Sequence, residues 1–167
     1  MTILTAEARA LLESDALVHL VTLNPDGSPQ LSCVWVGVDG DEIVSGHMQR
    51  RQKVRNVERD ERVVMSVMGR GLNERGLREY LVVHGRARVQ EGGAAALLQE
   101  LAHVYLGPDV VFPPPGFDAP GYVLRITPET SGRRWTLDDP EGLTGSPITE
   151  STCARSRIGL SEGCFSR

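Results

Sequence analysis

Two turn signals stand close together near the start of the chain. "NPDGSP" occupies residues 24–29 and "DGD" residues 39–41. The first has Pro early in the turn and Gly where positive φ is needed. Around them run three strand-like segments: "LVHLVTL" at 17–23, "QLSCVWVGV" at 30–38, and residues 42–46. Parallel neighbours need a crossover of about a dozen residues or more. These connections are much shorter, so the three strands form an antiparallel meander rather than βαβ units.

The rest of the chain extends that plan. Residues 5–13 read as an opening helix, with Thr5 as N-cap and Ala8, Leu11 and Leu12 as its apolar stripe. A short basic helix covers 50–59, a strand 62–68, a loop 69–76 and a long strand 77–89. Gly92 and Gly93 end that strand. An amphipathic helix follows over 94–106, with Leu97, Leu98, Leu101 and Tyr105 on one side. A proline-rich loop (107–121) leads into a strand from 122 that continues past Pro128 to Trp135. About six strands with two or three helices suggest a small α+β barrel. Residues 1–137 form the domain. Residues 138–167 lack periodicity, are rich in Gly, Ser, Thr and Pro, and read as a disordered tail.

Composition excludes several function classes. The 167 residues fit one domain with a core of its own. The formal net charge is -4, so no global positive field points to nucleic acid. There is no leader-like segment and no apolar run long enough for a membrane span. The three cysteines, Cys33, Cys153 and Cys164, show neither C-x-x-C nor zinc spacing. That favours a reduced, cytoplasmic setting.

Against this acidic background stands one basic cluster. The start of the 50–59 helix carries Arg50, Arg51 and Lys53, with Arg55 close behind. A helix N-terminus is already partly positive and favours acidic residues. Its free N–H groups also point outward, and here it follows a strand ending in Gly46. Cations, free amides and a glycine at one place make a site for a phosphate. The rival is a solvated charged face, the ordinary fate of such a run. Glu58, Asp60 and Glu61, a turn later, are expected to neutralise Arg59 and Arg62.

Three quoted segments carry a family resemblance: "TLNPDGSPQLSCVWVGVDGDEIV", "RRQKVRNVERDERVVMSV" and "YLVVHGRARV". Together with the closing "GYVLRITPE" they resemble the split β-barrel flavin/deazaflavin family. It includes pyridoxamine 5'-phosphate oxidase-like proteins and actinobacterial oxidoreductases that use the deazaflavin coenzyme F-420. The resemblance covers roughly residues 4–135 and implies a six-stranded antiparallel split barrel with flanking helices. It implies that Arg51, Lys53 and Arg55, with Arg50 beside them, bind the cofactor phosphate. It places Gln30, Ser32 and Val34 along the ring, and Ser45, His47 and Met48 near the ring and its side chain. It also implies a homodimer with cofactor sites at the interface. No segment matches the substrate-specific second half of true pyridoxamine phosphate oxidases, which favours the deazaflavin branch.

The other chemistry-bearing residues fit ordinary roles. His19 lies within an apolar strand as a core or interface residue. His84 shares a face with Val82, Arg86 and Arg88, and His103 lies just off the stripe of the long helix. No histidine pair has metal-ligand spacing. Cys33 alternates with Leu31 and Trp35 and reads as a buried core thiol. Trp35, Tyr80, Tyr122 and Trp135 read as core or interface. Arg86 and Arg88 either reach a cofactor tail across the dimer or form a solvated strand face. The expected function is reduction of an unsaturated small molecule by hydride from reduced F-420. The rivals are an FMN-dependent oxidoreductase and a non-catalytic protein that holds a cofactor, haem or tetrapyrrole.

Overall fold

The computed structural model describes residues 4–72, 76, 78–117, 119–129 and 133–135. The expected tail, 138–167, lies outside the described residues. The opening helix α1 (Ala6–Leu12) begins where Thr5 Oγ1 accepts from Ala8 N–H. Then come β1 (Val18–Leu23), β2 (Pro29–Val34), β3 (Gly37–Asp39) and β4 (Glu42–His47). After them follow α2 (Gln52–Arg59), β5 (Arg62–Leu72), β6 (Arg78–Glu91), α3 (Ala94–Tyr105), β7 (Tyr122–Pro128) and β8 (Arg133–Trp135).

The strands pair in the order β2-β1-β5-β6-β7-β4-β3, with β8 added to β6. Every pairing is antiparallel. The two ends of this order, β2 and β3, are consecutive in the chain. The sheet therefore curls on itself, and the result is a split barrel of the α+β class. The strand expected at 30–38 is two strands, broken at Trp35 and Val36. At the break the backbone leaves one sheet edge for the other, and side chains hold it. Tyr105 Oη accepts from Val36 N–H (3.2 Å), and Ser45 Oγ donates to Trp35 O (2.7 Å). With β8 this gives eight strands among the described residues instead of six.

The barrel interior is filled by side chains of β1, β4, β5, β6 and β7. Val18, Leu20, Ile43, Met65, Val67, Leu81, Val83, Leu124 and Ile126 are almost completely buried. Each such side chain contributes roughly 1.5–3 kcal/mol by leaving water. α2 closes one side with Val54 and Val57. α3 lies over β4 and builds a second cluster of Val44, Ala94, Leu98 and Val123. It sits so close that a Cβ at Gly46 would stand 2.8 Å from Leu98 Cγ, so only glycine fits without a shift.

The outer face of β1, β2, β5 and β6 carries the opposite alternation. His19, Val21, Val64 and Val82 are half-buried there, while Leu31 (60%) and Met68 (51%) are exposed. Register puts Cys33 opposite His19 on this outer face. Cys33 is thus an exposed free thiol, not the buried core thiol expected. Its apolar neighbours in sequence mislead because the outer face is itself apolar.

Candidate functional site

α2 is held against β1 by one buried amide. Asn56 is fully buried, and its Nδ2 donates to Thr22 Oγ1 (3.0 Å) and Asn24 Oδ1 (3.1 Å). Thr22 in turn donates to Gln30 Oε1 (3.0 Å), and Gln52 donates to Asn56 Oδ1 (2.9 Å). A buried amide without partners would cost about 1–3 kcal/mol, so the network sets where the helix lies. Its N-cap is Arg51, whose side chain makes no cap hydrogen bond, and the first turn holds no acid.

The structure sorts the four cations. Arg50 is engaged by Glu58 through both its Nε (2.9 Å) and a terminal nitrogen. The same contact holds the Glu58 carboxyl below its usual range. Glu58 therefore pairs with Arg50, not with Arg59 or Arg62 as expected. Asp60 takes Arg62, and Glu61 reaches across to Arg86. Arg59 donates to the Asn56 side chain and to Leu23 O. Arg55 donates to Gln52 Oε1 (2.9 Å). Arg51 and Lys53 have no ion-pair partner among the described residues, and both line a cavity of ≈ 430 Å³. Burial, then the neighbouring Arg51 charge, pushes the Lys53 ammonium below its ordinary pKa. An anion placed there would reverse that shift.

The cavity continues from the cations onto an apolar floor. Val34 and Trp35 line it from β2 and the break after it, and Gly46 and His47 from β4. Met48 and Gln49 follow, and Leu98 and Phe112 close the far wall. Trp35 stacks on Tyr105 (5.3 Å, 14°) and meets Phe112 edge-on (5.3 Å, 62°). Gln99 of α3 holds the Phe112 loop in place. Its Nε2 donates to Val110 O (2.8 Å), and its Oε1 accepts from Phe112 N–H (3.0 Å). Leu17 and Cys33 bring the cavity mouth to the edge of the outer apolar face.

His47 stands out among these residues. Only 9% of it is exposed, and its Nε2 is buried without a hydrogen-bond partner. Burial first, and the Lys53 charge second, push its pKa down to about 3. Its imidazole is therefore neutral, in a residue that lines a cavity carrying two cations. Ser32 Oγ is likewise buried without a partner.

Five of the residues named from sequence line the cavity: Val34, His47, Met48, Arg51 and Lys53. The other five lie elsewhere. Gln30 is engaged by Thr22, Ser45 is fully buried and bonds Trp35 O, and Arg50 is paired with Glu58. Arg55 lies on the outer side of the helix start, and Ser32 faces inward from β2 beside them. The sequence reading missed Cys33, Trp35, Leu98 and Phe112 as cavity residues. Phe112, an aromatic followed by three prolines, was the one of these with a local signal. Among the described residues no cluster of His, Cys, Asp and Glu could hold a metal ion. None of the helices described is long and apolar enough to cross a membrane.

A split barrel with unpaired cations at a helix start above an apolar cavity defines a flavin/deazaflavin-binding class of oxidoreductase-like proteins. The family profile of pyridoxamine 5'-phosphate oxidase matches residues 4–130, and the chain belongs to that family. Among solved structures, an F-420 reductase is 30% identical, covers 72% of this chain and 91% of its own, and superposes with a TM-score of 0.60. A conserved hypothetical protein from Mycobacterium tuberculosis is 25% identical, covering 80% of this chain and 84% of its own, with a TM-score of 0.64. A FAD-binding protein from Mesorhizobium loti is similar in fold, with 20% identity over 79% of this chain and 96% of its own and a TM-score of 0.55. No curated protein shows significant similarity to the sequence.

Proposed function

We propose that the protein is a homodimeric oxidoreductase that binds the deazaflavin coenzyme F-420 and reduces an unsaturated small molecule. The observation that carries this reading is the pair Arg51 and Lys53, unpaired at the start of α2 and facing the cavity. A phosphate there would meet two cations and free helix N–H groups. The apolar floor of Val34, Trp35, Met48, Leu98 and Phe112 suits a flat ring. The 30% identity to an F-420 reductase favours the deazaflavin over FMN.

The bound coenzyme would supply hydride chemistry. The protein's own task is then orientation, anchoring and exclusion of water. Arg51 and Lys53 anchor the anionic end. Trp35 and Phe112, braced by Tyr105 and Gln99, form the wall beside the ring. A second copy would cover the outer apolar face and shelter the cavity mouth at Leu17 and Cys33. The free, exposed Cys33 suits a reducing cytoplasm.

Parallel fluorescence titrations with F-420 and FMN test the reading. Tighter binding of the deazaflavin is expected. Tighter FMN binding would make the protein an FMN-dependent oxidoreductase, and a Soret band on adding haem alone would favour the tetrapyrrole rival. Light scattering at micromolar concentration should give the mass of a dimer, and a monomer would remove the interface from the proposal.

A further inference from the structure

We propose that Gln99 is a specificity-determining positioning residue. Its amide latches the proline-rich loop so that Phe112 stands as the far wall of the cavity. The latched wall admits a short, flat, uncharged substrate and turns a longer one away. The inference rests on the oxidoreductase reading for the ligand's role as substrate, while the wall rests on contacts within the chain.

The first observation is how little else ties the loop down. Pro113, Pro114 and Pro115 have no N–H to give. The loop's own turns are local and long: Val110 N–H to Gly107 O and Phe117 N–H to Pro114 O, both 3.3 Å. Its ends are fixed at Gly107, whose N–H donates to Ala102 O, and at Gly121, whose carbonyl accepts from Gly92 N–H. Between those ends, among the described residues, the hydrogen bonds that reach the rest of the chain come from Gln99.

The second is the direction of the amide. Gln99 Oε1 accepts from Phe112 N–H, and Nε2 donates to Val110 O. A backbone carbonyl only accepts and an N–H only donates, so the two contacts allow one orientation of the amide. Nε2 also lies 2.7 Å from His103 Nε2, one turn on along α3. That histidine nitrogen is then the acceptor, and the ring proton is on Nδ1. The amide holds alternate residues, as a neighbouring strand would. Val111 between them is turned out to solvent (68% exposed), whereas Phe112 is half-buried and lines the cavity.

The third is what Phe112 meets. It packs on the cluster of Val44, Ala94, Leu98 and Val123 and stands edge-on to Trp35. Trp35 is itself stacked on Tyr105, whose hydroxyl is tied to the Val36 backbone. Phe112 is thus the wall member whose place depends on a loop. The charged groups lining the cavity are Arg51 and Lys53, and His47 is neutral. Trp35, Leu98 and Phe112 offer no partner to a charge, so what meets them is uncharged. Their aromatic surfaces favour a flat body.

The test is a binding cycle on the full chain with two uncharged fluorescent probes, the short N-phenyl-1-naphthylamine and the longer 1,6-diphenylhexatriene. They are titrated against wild type, Gln99→Met, Phe112→Ala and the double variant. Met keeps the length of Gln and makes neither latch bond. Wild type should bind the short probe more tightly. Gln99→Met should weaken the short probe about tenfold and hold or tighten the long one. Phe112→Ala should follow the same pattern. Adding Gln99→Met to Phe112→Ala should change neither affinity, because Gln99 acts through Phe112. The Phe112 N–H should exchange faster in Gln99→Met while the amides of α3 keep their protection. A residue that merely stabilised α3 would weaken both probes alike and add its loss to that of Phe112→Ala, and either result overturns the proposal. So does a wild type that prefers the long probe or binds neither, or unchanged exchange at Phe112. If Gln99→Met fails to fold, Gln99→Glu, which keeps the acceptor and loses the donor, takes its place and the same results decide. Titrations with F-420 and FMN run beside these. A wild type that binds neither coenzyme but obeys the cycle overturns the substrate role and leaves the Gln99 wall standing. A wild type that binds a coenzyme but fails the cycle overturns the wall alone.

Discussion

Two groups of cations lie on the same barrel and meet opposite fates. On the outer side of β6 and β7, Arg86 is shared by Glu61 and Glu129. Arg88 meets Glu42 (3.0 Å), and Arg125 meets both Glu42 and Asp39. There the partners push the guanidinium pKa of Arg86 and Arg125 up. At the start of α2, Arg51 and Lys53 face a cavity with no acid in its lining, and Lys53 is pushed down. Each of these side chains carries the same single positive charge. What differs is the supply of carboxylates, and only the second group is left wanting an anion. Two cations left unpaired at a helix N-terminus, on a chain that pairs others across a strand face, support the proposed ligand site.

The largest way to break this comparison is to remove both unpaired cations. Arg51→Ala with Lys53→Ala should weaken F-420 or FMN binding by a hundredfold or more at low salt. Each lost charge-assisted contact is worth about 1.5–3 kcal/mol. The empty protein should not lose stability. A cation near a helix N-terminus is itself unfavourable by roughly 0.3–1 kcal/mol, so the variant should be neutral or slightly stabilised. Added salt should then affect wild-type binding far more than the variant. Thermal melts beside the titrations check both halves. A variant that unfolds without losing affinity would put these residues with the structural cations instead.

A smaller effect separates the two regions by pH. His47 has its pKa depressed from 6.5 to about 3, so the unfolded chain binds the proton more readily. Its contribution is complete above about pH 6.5 and is lost as pH falls toward 3. Between pH 7 and 5 this amounts to about 2 kcal/mol. Asp60, held at about 2 by Arg62, stays ionised through that window. Wild-type stability in urea should therefore fall from pH 7 to 5, and His47→Leu should flatten the fall. A variant with the wild-type slope would assign the pH dependence to other groups.

How much of this was legible in the sequence depends on the range of the deciding contact. The hairpins at 24–29 and 39–41 were legible because local turn chemistry sets them. The break at Trp35 and Val36 was not, since the groups that hold it, Ser45 and Tyr105, are far off in sequence. The helix and its cations were legible as a cluster. Which cations stay unpaired was not, because Glu58 turns back to Arg50, a residue before the helix begins. Cys33 was assigned to the wrong face because an apolar outer wall gives the same letters as a core. His47 was named as a site residue from the strand exit and the family pattern. Its buried, unpartnered nitrogen was not legible, because burial by the folded chain creates it.

The smallest expected effect sits in the paired region and serves as the control. Arg86 is exposed, and its two carboxylates sit on the surface beside it. Exposed pairs gain little Coulomb energy and are screened by salt. Arg86→Gln keeps the length and the polarity of the side chain and removes the charge. It should leave the melting temperature within measurement error and F-420 affinity unchanged at any salt concentration. The alternative reading of Arg86, a cofactor tail held across the dimer, makes the contrary prediction. It requires Arg86→Gln to weaken F-420 while sparing FMN, which lacks the long anionic tail. If that pattern appeared, Arg86 would be a cation shared between Glu61, Glu129 and a ligand. The line between paired surface and ligand site would then have to run through the second subunit rather than between β6 and α2.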